Sequence, residues 1–426
     1  MNILLTGANG FIGKYLLAAL TAAGHRVIPA VRNPAVTDRL LPEPASIAAD
    51  FNRDTAPEDW LPRLSDIDAV INCAGVLQGG RGQSIAAIHA QAPIALFKAC
   101  EEAGVRRVIQ ISAISAEPDA GTAYAQTKRE ADDYLKTTPL DWVILRPSLV
   151  YGEGAYGGTA LFRALAALPF AIPLPGKGGG IFRPIHAGDF AAAVLNILKD
   201  KNINRIVIDP VGPDRLSMRT ILADLRRWLG YAPARMIEIP MPLARLAAWL
   251  GDLFGGPVNS TALRQMEFGN DGVPEAFVAA AGVHPRHLHD TLIAQPAQAQ
   301  DRWHARLYFL RPLLRTSLAA MWLVSGIAGG LHRADLAGHL TPWLGNDGAT
   351  SFVWASSLFD IAAAFLVATR WRTGLMAAVQ IVAIVAYSVA LTVLDPSLWL
   401  APFGPLIKNI PILMSVAILA AIEPDR

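Results

Sequence analysis

The chain has 426 residues, with 37 Lys and Arg against 35 Asp and Glu, and this near-neutral balance weighs against a polyanion such as DNA as its main partner. It is 53% hydrophobic and only 17% charged, with a mean hydropathy of +0.34, a composition that places part of it in a membrane. Two cysteines, Cys73 and Cys100, match no metal-ligand spacing and read as buried small hydrophobes in a reducing compartment.

From the start, Met1-Asn2-Ile3-Leu4-Leu5 lacks a basic region followed by a long apolar stretch, so it reads as a first strand and not a signal peptide; the N-terminal part is expected in the cytoplasm. To about residue 300, short aliphatic runs alternate with helical spacing, which predicts an α/β architecture with a doubly wound parallel sheet. Strands are expected over 3–6, 26–31, 69–73, 108–112 and 142–146, and helices over 13–23 and 92–103. Directly after the first strand stands Thr6-Gly7-Ala8-Asn9-Gly10-Phe11-Ile12-Gly13. Gly7 permits the tight turn, Gly10 lets backbone approach a pyrophosphate, and Gly13 allows close helix packing, while the helix N-terminus offers N–H donors. At the end of the second strand, Ala30 offers no carboxylate to a ribose hydroxyl, whereas Arg32 suits a 2′-phosphate, so NADP is expected ahead of NAD. Tyr124 and Lys128 are one helical turn apart and project from one face. Beyond residue 150, glycine and proline cluster at 152–158 and 173–184, as in a smaller substrate lobe drawn from 151–300. His284, His287 and His289 lack a fourth ligand, and no metal is expected. Residues 295–301 read as a linker between domains at 1–300 and 301–426.

Composition then changes. Four apolar segments, 312–331, 352–369, 373–394 and 403–422, are long enough to cross a bilayer, which predicts an all-α four-helix transmembrane bundle. Arg302, Arg306, Arg311 and Arg315 precede the first, and Arg370 and Arg372 separate the second from the third. The positive-inside rule makes both places cytoplasmic, with the connections 333–351 and 395–402 on the far side of the inner membrane. Asp360 and Lys408 fall at similar depths and are expected to pair within the bundle.

The glycine motif resembles the Thr-Gly-x-x-Gly-x-x-Gly fingerprint of the short-chain dehydrogenase/reductase superfamily, in its extended or atypical, epimerase/dehydratase-like branch. The likeness continues in order through Asp50-Phe51, Asn72-Cys73-Ala74-Gly75, Tyr124-Ala125-Gln126-Thr127-Lys128, Arg146-Pro147-Ser148-Leu149-Val150-Tyr151-Gly152 and Arg183-Pro184-Ile185-His186. It implies cofactor contacts at Thr6, Gly7, Asn9, Gly10, Phe11, Ile12, Gly13, Arg32, Asp50, Phe51, Ala74, Gly75, Tyr124, Lys128, Pro147 and Leu149. In that family the tyrosine exchanges a proton with the substrate oxygen and the lysine lowers its pKa and holds ribose. A Ser or Thr hydroxyl normally joins them, and here Ile114 takes that position between Ser112 and Ser115, the two candidates to replace it.

The last 120 or so residues resemble the DoxX-like membrane family, through Trp322-Leu323-Val324-Ser325-Gly326-Ile327, Asp360 and Pro402-Phe403-Gly404-Pro405-Leu406-Ile407-Lys408-Asn409. Together the resemblances imply a membrane-anchored NAD(P)-dependent oxidoreductase acting on a lipid, isoprenoid or quinone. The alternative they leave open is a nucleotide-binding structural or regulatory subunit of a membrane protein complex, as atypical relatives include one in respiratory complex I.

Overall fold

Successive residues of each central strand face opposite sides, and here both sides are apolar. Ile3 and Leu5, Ile71, Ile109 and Val143 enter one core, whereas Leu4, Val70, Val108 and Ile144 enter the other. A strand buried on both faces must be covered twice, which requires helices above and below a parallel sheet. The computed structural model describes residues 1–426 except 40–45, 78, 80, 81, 155, 156, 255–257, 403 and 424–426.

Seven strands form the sheet: β1 (Asn2–Thr6), β2 (Arg26–Val31), β3 (Ile47–Ala48), β4 (Ala69–Asn72), β5 (Arg107–Ile111), β6 (Asp141–Leu145) and β7 (Ile206–Ile208). Their order is β7-β6-β5-β4-β1-β2-β3, all parallel, so the winding reverses between β1 and β4. Ligands of such sheets bind beyond the carboxyl ends of the strands at that reversal. Helix α1 (Phe11–Ala22) packs Leu16 and Leu20 into the first core together with Phe190 and Val194 of α4 (Ala187–Lys199). On the other face lie α2 (Ala92–Ala103), with Leu96, Phe97 and Cys100, and α3 (Ala123–Lys136), with Ala131 and Leu135. Local chemistry sets their ends: the Thr122 hydroxyl accepts from the Ala125 N–H to start α3, and Gly104, at φ +76°, ends α2 in the left-handed region.

The lobe beyond residue 150 contains α5 (Met241–Phe254) and α6 (Ser260–Phe268). The chain divides into two units, Met1–Arg306 and Leu307–Arg426. Residues 295–298, within the stretch expected to be a linker, connect a helix at Leu288–Ala294 to α7 (Ala299–Leu331), which has begun by residue 301.

The second unit is helical: α7 continues into it, followed by α8 (Arg333–Ala368), α9 (Thr373–Leu394) and α10 (Asn409–Ile422). Of these, α7, α8 and α9 are long and apolar enough to cross a membrane, and α10 has 14 residues. The expected opening of the fourth segment at Phe403 lies outside the described residues. Leu318, Trp322, Ala364, Met376, Ile384 and Val416 form the interior, while Val324, Leu358, Phe365, Val382 and Ile418 face outward, an arrangement suited to an apolar solvent. Residues 333–351, expected as a connection, are helical, with a break at Gly345 (φ 70°, ψ 170°), because Ala337 and Leu340 pack against Ala349 and Val353. The expected Asp360–Lys408 pair does not form. Asp360 accepts instead from Ser325 Oγ at 2.7 Å and Tyr387 Oη at 3.2 Å, and Lys408 is exposed at the start of α10. Nearby hydroxyls satisfy the carboxylate without the cost of burying an ammonium beside it.

Gly326 brings α7 onto α8, since a Cβ there would lie 2.7 Å from the Ser357 carbonyl oxygen and 2.8 Å from Ile361 Cγ1. Gly326→Val should therefore lower the melting temperature of the detergent-purified chain, by an overpacking cost of about 1–3 kcal/mol or more. Gly374→Ala, where a Cβ meets nothing within 4 Å, serves as the neutral control.

Candidate functional site

The glycine loop is built from close approaches that no side chain would allow. Gly7 has φ +63° and a Cβ on it would lie 2.7 Å from the Cys73 carbonyl oxygen, while a Cβ on Gly13 would lie 2.1 Å from the Gly7 carbonyl oxygen. The loop closes through Gly10 N–H donating to Gly7 O at 2.9 Å. No side chain caps α1 and no acidic residue occupies its first turn, so the positive end of its dipole faces the loop uncompensated by a carboxylate. Asn9 is exposed in this loop, Ile12 packs on the core, and the Phe11 ring meets Tyr15 edge-on at 5.6 Å. The loop thus fits a dinucleotide pyrophosphate by its backbone shape and by the dipole of α1.

Beneath it a buried polar chain crosses the sheet in register. Thr6 Oγ1 donates to Asn72 Oδ1 at 2.5 Å, Asn72 Nδ2 donates to Gln110 Oε1 at 2.7 Å, and the Cys73 N–H donates back to Thr6 Oγ1 at 3.1 Å. The Thr6 hydroxyl is therefore committed to holding β1, β4 and β5 together.

Lys128 is buried, and its Nζ donates to Ile111 O at 3.0 Å and Ala74 O at 3.3 Å, just past the ends of β5 and β4. Burial lowers its pKa, an effect opposed by the nearby Asp132 carboxylate. A Cβ on Gly75 would meet Nζ at 3.3 Å, so glycine leaves room for the ammonium. Tyr124, one turn earlier on α3, has its hydroxyl pushed up to about 12 by burial and then by Asp132, and is protonated at neutral pH.

Ser112 and Ser115 are both buried, and the Ser112 hydroxyl donates to Asp132 Oδ2 at 2.7 Å. Asp132 also receives Arg146 Nε at 3.4 Å, and Arg146 Nη1 reaches Glu117 Oε1 at 2.5 Å. Ser112 thus serves a buried carboxylate. Ile114, in the position of the missing hydroxyl, donates its backbone N–H to Pro147 O at 3.3 Å. Arg32 is exposed just past β2. Asp50 accepts from the Asn52 N–H at 3.1 Å and organises its own turn, and Phe51 lies in the core against Trp60, with ring centroids 5.2 Å apart. Leu149 joins the two parts of the first unit by accepting the Ile185 N–H at 3.0 Å. His186 caps α4, its Nδ1 accepting from the Gly188 N–H at 3.1 Å, and burial lowers its pKa. His287 Nδ1 lies 2.7 Å from Asp214, and among the described residues no three His, Cys, Asp or Glu side chains gather as for a metal.

The residue that sequence reading missed is His89. It lies fully buried in a π-helical turn, Ala87–Gln91, against Tyr124, with ring centroids 5.2 Å apart. Its Nε2 accepts the Val76 N–H at 3.0 Å, so Nδ1 carries the proton and faces Thr127 Oγ1 at 3.2 Å, which donates onward to Ala123 O at 2.7 Å. His89 thereby joins the loop after β4 to the first turn of α3, and burial and the Lys128 ammonium lower its pKa to about 2. Its mark in the sequence is Pro93, four residues on, whose missing N–H leaves the His89 carbonyl without its α-helical partner and accommodates the π turn.

Comparison with known proteins agrees with this geometry. Residues 7–201 match the NAD(P)H-binding family model and residues 319–417 match the DoxX-like family model. A ceramide reductase of Caulobacter vibrioides is 25% identical over 264 residues, 61% of this chain and 80% of that protein. The mitochondrial NADH dehydrogenase [ubiquinone] 1 alpha subcomplex subunit 9 of Mus musculus is 25% identical over 257 residues, 58% of this chain and 66% of that protein. Among solved structures, UDP-glucuronic acid 4-epimerase from Bacillus cereus, in complex with UDP-glucuronic acid and NAD, is 21% identical, with a TM-score of 0.53 over 72% of this chain and all 100% of its own. The dTDP-glucose 4,6-dehydratase of Streptomyces venezuelae is 19% identical, with a TM-score of 0.54 over 71% of this chain and 97% of its own. These likenesses show the fold: an NAD(P)-binding α/β unit of the epimerase and dehydratase type, followed by a DoxX-like domain.

Because His89 stays neutral when folded but titrates near its ordinary 6.5 when unfolded, the unfolded chain binds the extra proton. The stability it contributes is present above pH 6.5 and falls as pH drops from there towards 2. Between pH 7.5 and 5.5 this group should remove on the order of 1.4 kcal/mol. Thermal unfolding of wild type and His89→Gln at both pH values measures it, and the variant should show the smaller drop.

Proposed function

We propose that the chain is a membrane-anchored, NADP-dependent oxidoreductase of the short-chain dehydrogenase/reductase type, acting on a lipid-, isoprenoid- or quinone-like carbonyl at the cytoplasmic face of the inner membrane. The observation that carries this reading is a buried lysine one turn from a protonated tyrosine, beside a glycine loop with uncapped helix donors. In this reading residues 1–300 form the catalytic domain and 301–426 the anchor. The arginines at 302, 306, 311, 315, 370 and 372 support an orientation with the catalytic domain inside the cell. The lipid in the name of the Caulobacter ceramide reductase supports the substrate class.

A bound nicotinamide supplies the hydride when the substrate is a carbonyl. Tyr124 then gives its hydroxyl proton to the oxygen that gains charge, and the Lys128 ammonium steadies the phenolate left behind. Two of the three Lys128 donors are taken by Ala74 O and Ile111 O, and the third is kept for a ribose hydroxyl. Ser115, next to Ile114, is the candidate to orient the substrate oxygen, since Ser112 is committed to Asp132.

A second reading is favoured by Ile114 itself: a site without its orienting hydroxyl suits a nucleotide-binding subunit of a membrane complex, as the NADH dehydrogenase relative is named. Tyr124→Phe separates the two. It should keep NADPH affinity within about twofold yet lose about 10² or more in cofactor consumption with membrane-lipid extract. Wild type that binds NADPH and consumes none with any extract supports the second reading.

Arg32 generates the cofactor prediction. NADPH should bind about tenfold or more tightly than NADH, by a charge-assisted pairing of roughly 1.5–3 kcal/mol. Arg32→Ala should bring the two affinities together, as read by fluorescence titration.

A further inference from the structure

Helix α5 has two faces of opposite character. Ala244 and Ala248 are buried against Leu263 of α6, with Ile239 and Met241 at the margin. On the other side Leu243, Leu246, Trp249, Leu250 and Leu253 are 57%, 53%, 58%, 41% and 63% exposed. Their spacing of three and four residues makes one continuous stripe along the helix. The two charged residues of α5 turn to the α6 segment: Arg245 Nη2 lies 3.5 Å from Glu267 Oε1, and Asp252 accepts the Ser260 N–H at 3.2 Å and its hydroxyl. The stripe is therefore free of charge, and water is a poor solvent for it.

Three features say what covers this face. The same chain carries three helices long and apolar enough to cross a membrane, the first beginning at Ala299, so α5 is tethered to whatever bilayer they enter and meets it at high effective concentration. Trp249 sits mid-stripe, and an indole, apolar in body with one polar N–H, favours the headgroup boundary. The stripe offers on the order of 500 Å², short of the roughly 800 Å² per partner of a standard protein interface.

Helix α6, packed on the opposite face of α5 from the stripe, leads on to the loop before Tyr124. Arg264 of α6 lies over Gly121, where a Cβ would meet its Nη2 at 3.3 Å, and Gly121 directly precedes the Thr122 cap of α3, which carries Tyr124. Past α6, a Cβ on Gly272 would lie 3.2 Å from Ile114 Cδ1.

We propose that the Leu243, Leu246, Trp249, Leu250 and Leu253 face of α5 seats in the headgroup–acyl boundary of the bilayer and holds the substrate lobe against the lipid. A bilayer-borne substrate then meets the substrate lobe at the membrane surface on which the lobe rests. That consequence rests on the function proposed above; the seating of α5 does not.

The test uses the full chain in nanodiscs of phosphatidylethanolamine and phosphatidylglycerol at about 3:1, a composition with the apolar boundary and anionic surface an interfacial helix needs. The photoreactive variants Leu246→p-benzoylphenylalanine and Leu250→p-benzoylphenylalanine are compared with Arg227→p-benzoylphenylalanine, at a site whose side chain is 71% exposed in another helix. NADPH binding by each variant reports an intact fold. After illumination, intact mass should show phospholipid adducts at 246 and 250 at least tenfold above those at 227. Lipid adducts at 246 and 250 no greater than at 227 overturn the proposal, and so does a chain-to-chain adduct, which assigns the face to a second copy. Lipid adducts in a protein that turns over no lipid leave the seating intact and remove the substrate reading instead.

Discussion

The Lys128 ammonium is a charge taken out of water, and much of the first unit is arranged around that fact. Burying such an ion costs several kcal/mol unless dipoles and an opposite charge replace its hydration. Two carbonyl oxygens at the ends of β4 and β5 supply the dipoles, and Asp132, one turn further along α3, supplies the charge. Gly75 leaves the ammonium its room, and His89, close enough to feel it, is held neutral. The Thr6, Asn72 and Gln110 chain fixes the spacing of the strands on which the two carbonyls depend.

The second unit solves the opposite solvent problem with the same rules. Its outer surface is apolar, and several of its polar groups pair in the interior: Trp322 Nε1 donates to Gln380 Oε1 at 2.9 Å, Asn409 Nδ2 to Ser388 Oγ at 2.7 Å, and Arg315 pairs with Glu423 at 2.5 Å. Asp360 belongs to this set, held by Ser325 and Tyr387. In a medium without water such bonds are obligatory, and Gly326 is what lets α7 approach α8 closely enough to make one of them.

Much of the fold was legible because its signals are local. The short run Ala69-Val70-Ile71, buried throughout, marks a strand covered on two faces, and glycines at 7 and 13 mark backbone approaches that leave no room for a Cβ. Tyr124 and Lys128 were legible as a pair because one helix carries both. His89 was not, since its role depends on Val76 and Thr127, which approach it only in the folded chain, and on a π turn marked by a single proline. The partner of Ser112 was hidden in the same way, since its hydroxyl donates to Asp132, twenty residues away in the chain. Depth along a span was a poor guide to the partner of Asp360, because it ignores which helix face each residue occupies and overlooks hydroxyls that cost little to bury. The exposed stripe of α5 lies in an amphipathic helix whose sequence alone does not say which apolar face goes inward; Ala244 and Ala248, not the larger leucines, turn out to be the core.

In the function proposed above, this nucleotide site delivers hydride to a molecule resident in the bilayer. The most direct measurement supplies the nanodisc-embedded chain with NADPH deuterated at C4, each stereoisomer in turn, together with total membrane lipid. Lipids are then recovered by extraction and examined by mass spectrometry. The account predicts one deuterium transferred from a single stereoisomer to a lipid alcohol, with matching loss of NADPH. Binding of NADPH without deuterium entering any lipid, or deuterium appearing only in water-soluble products, would contradict it.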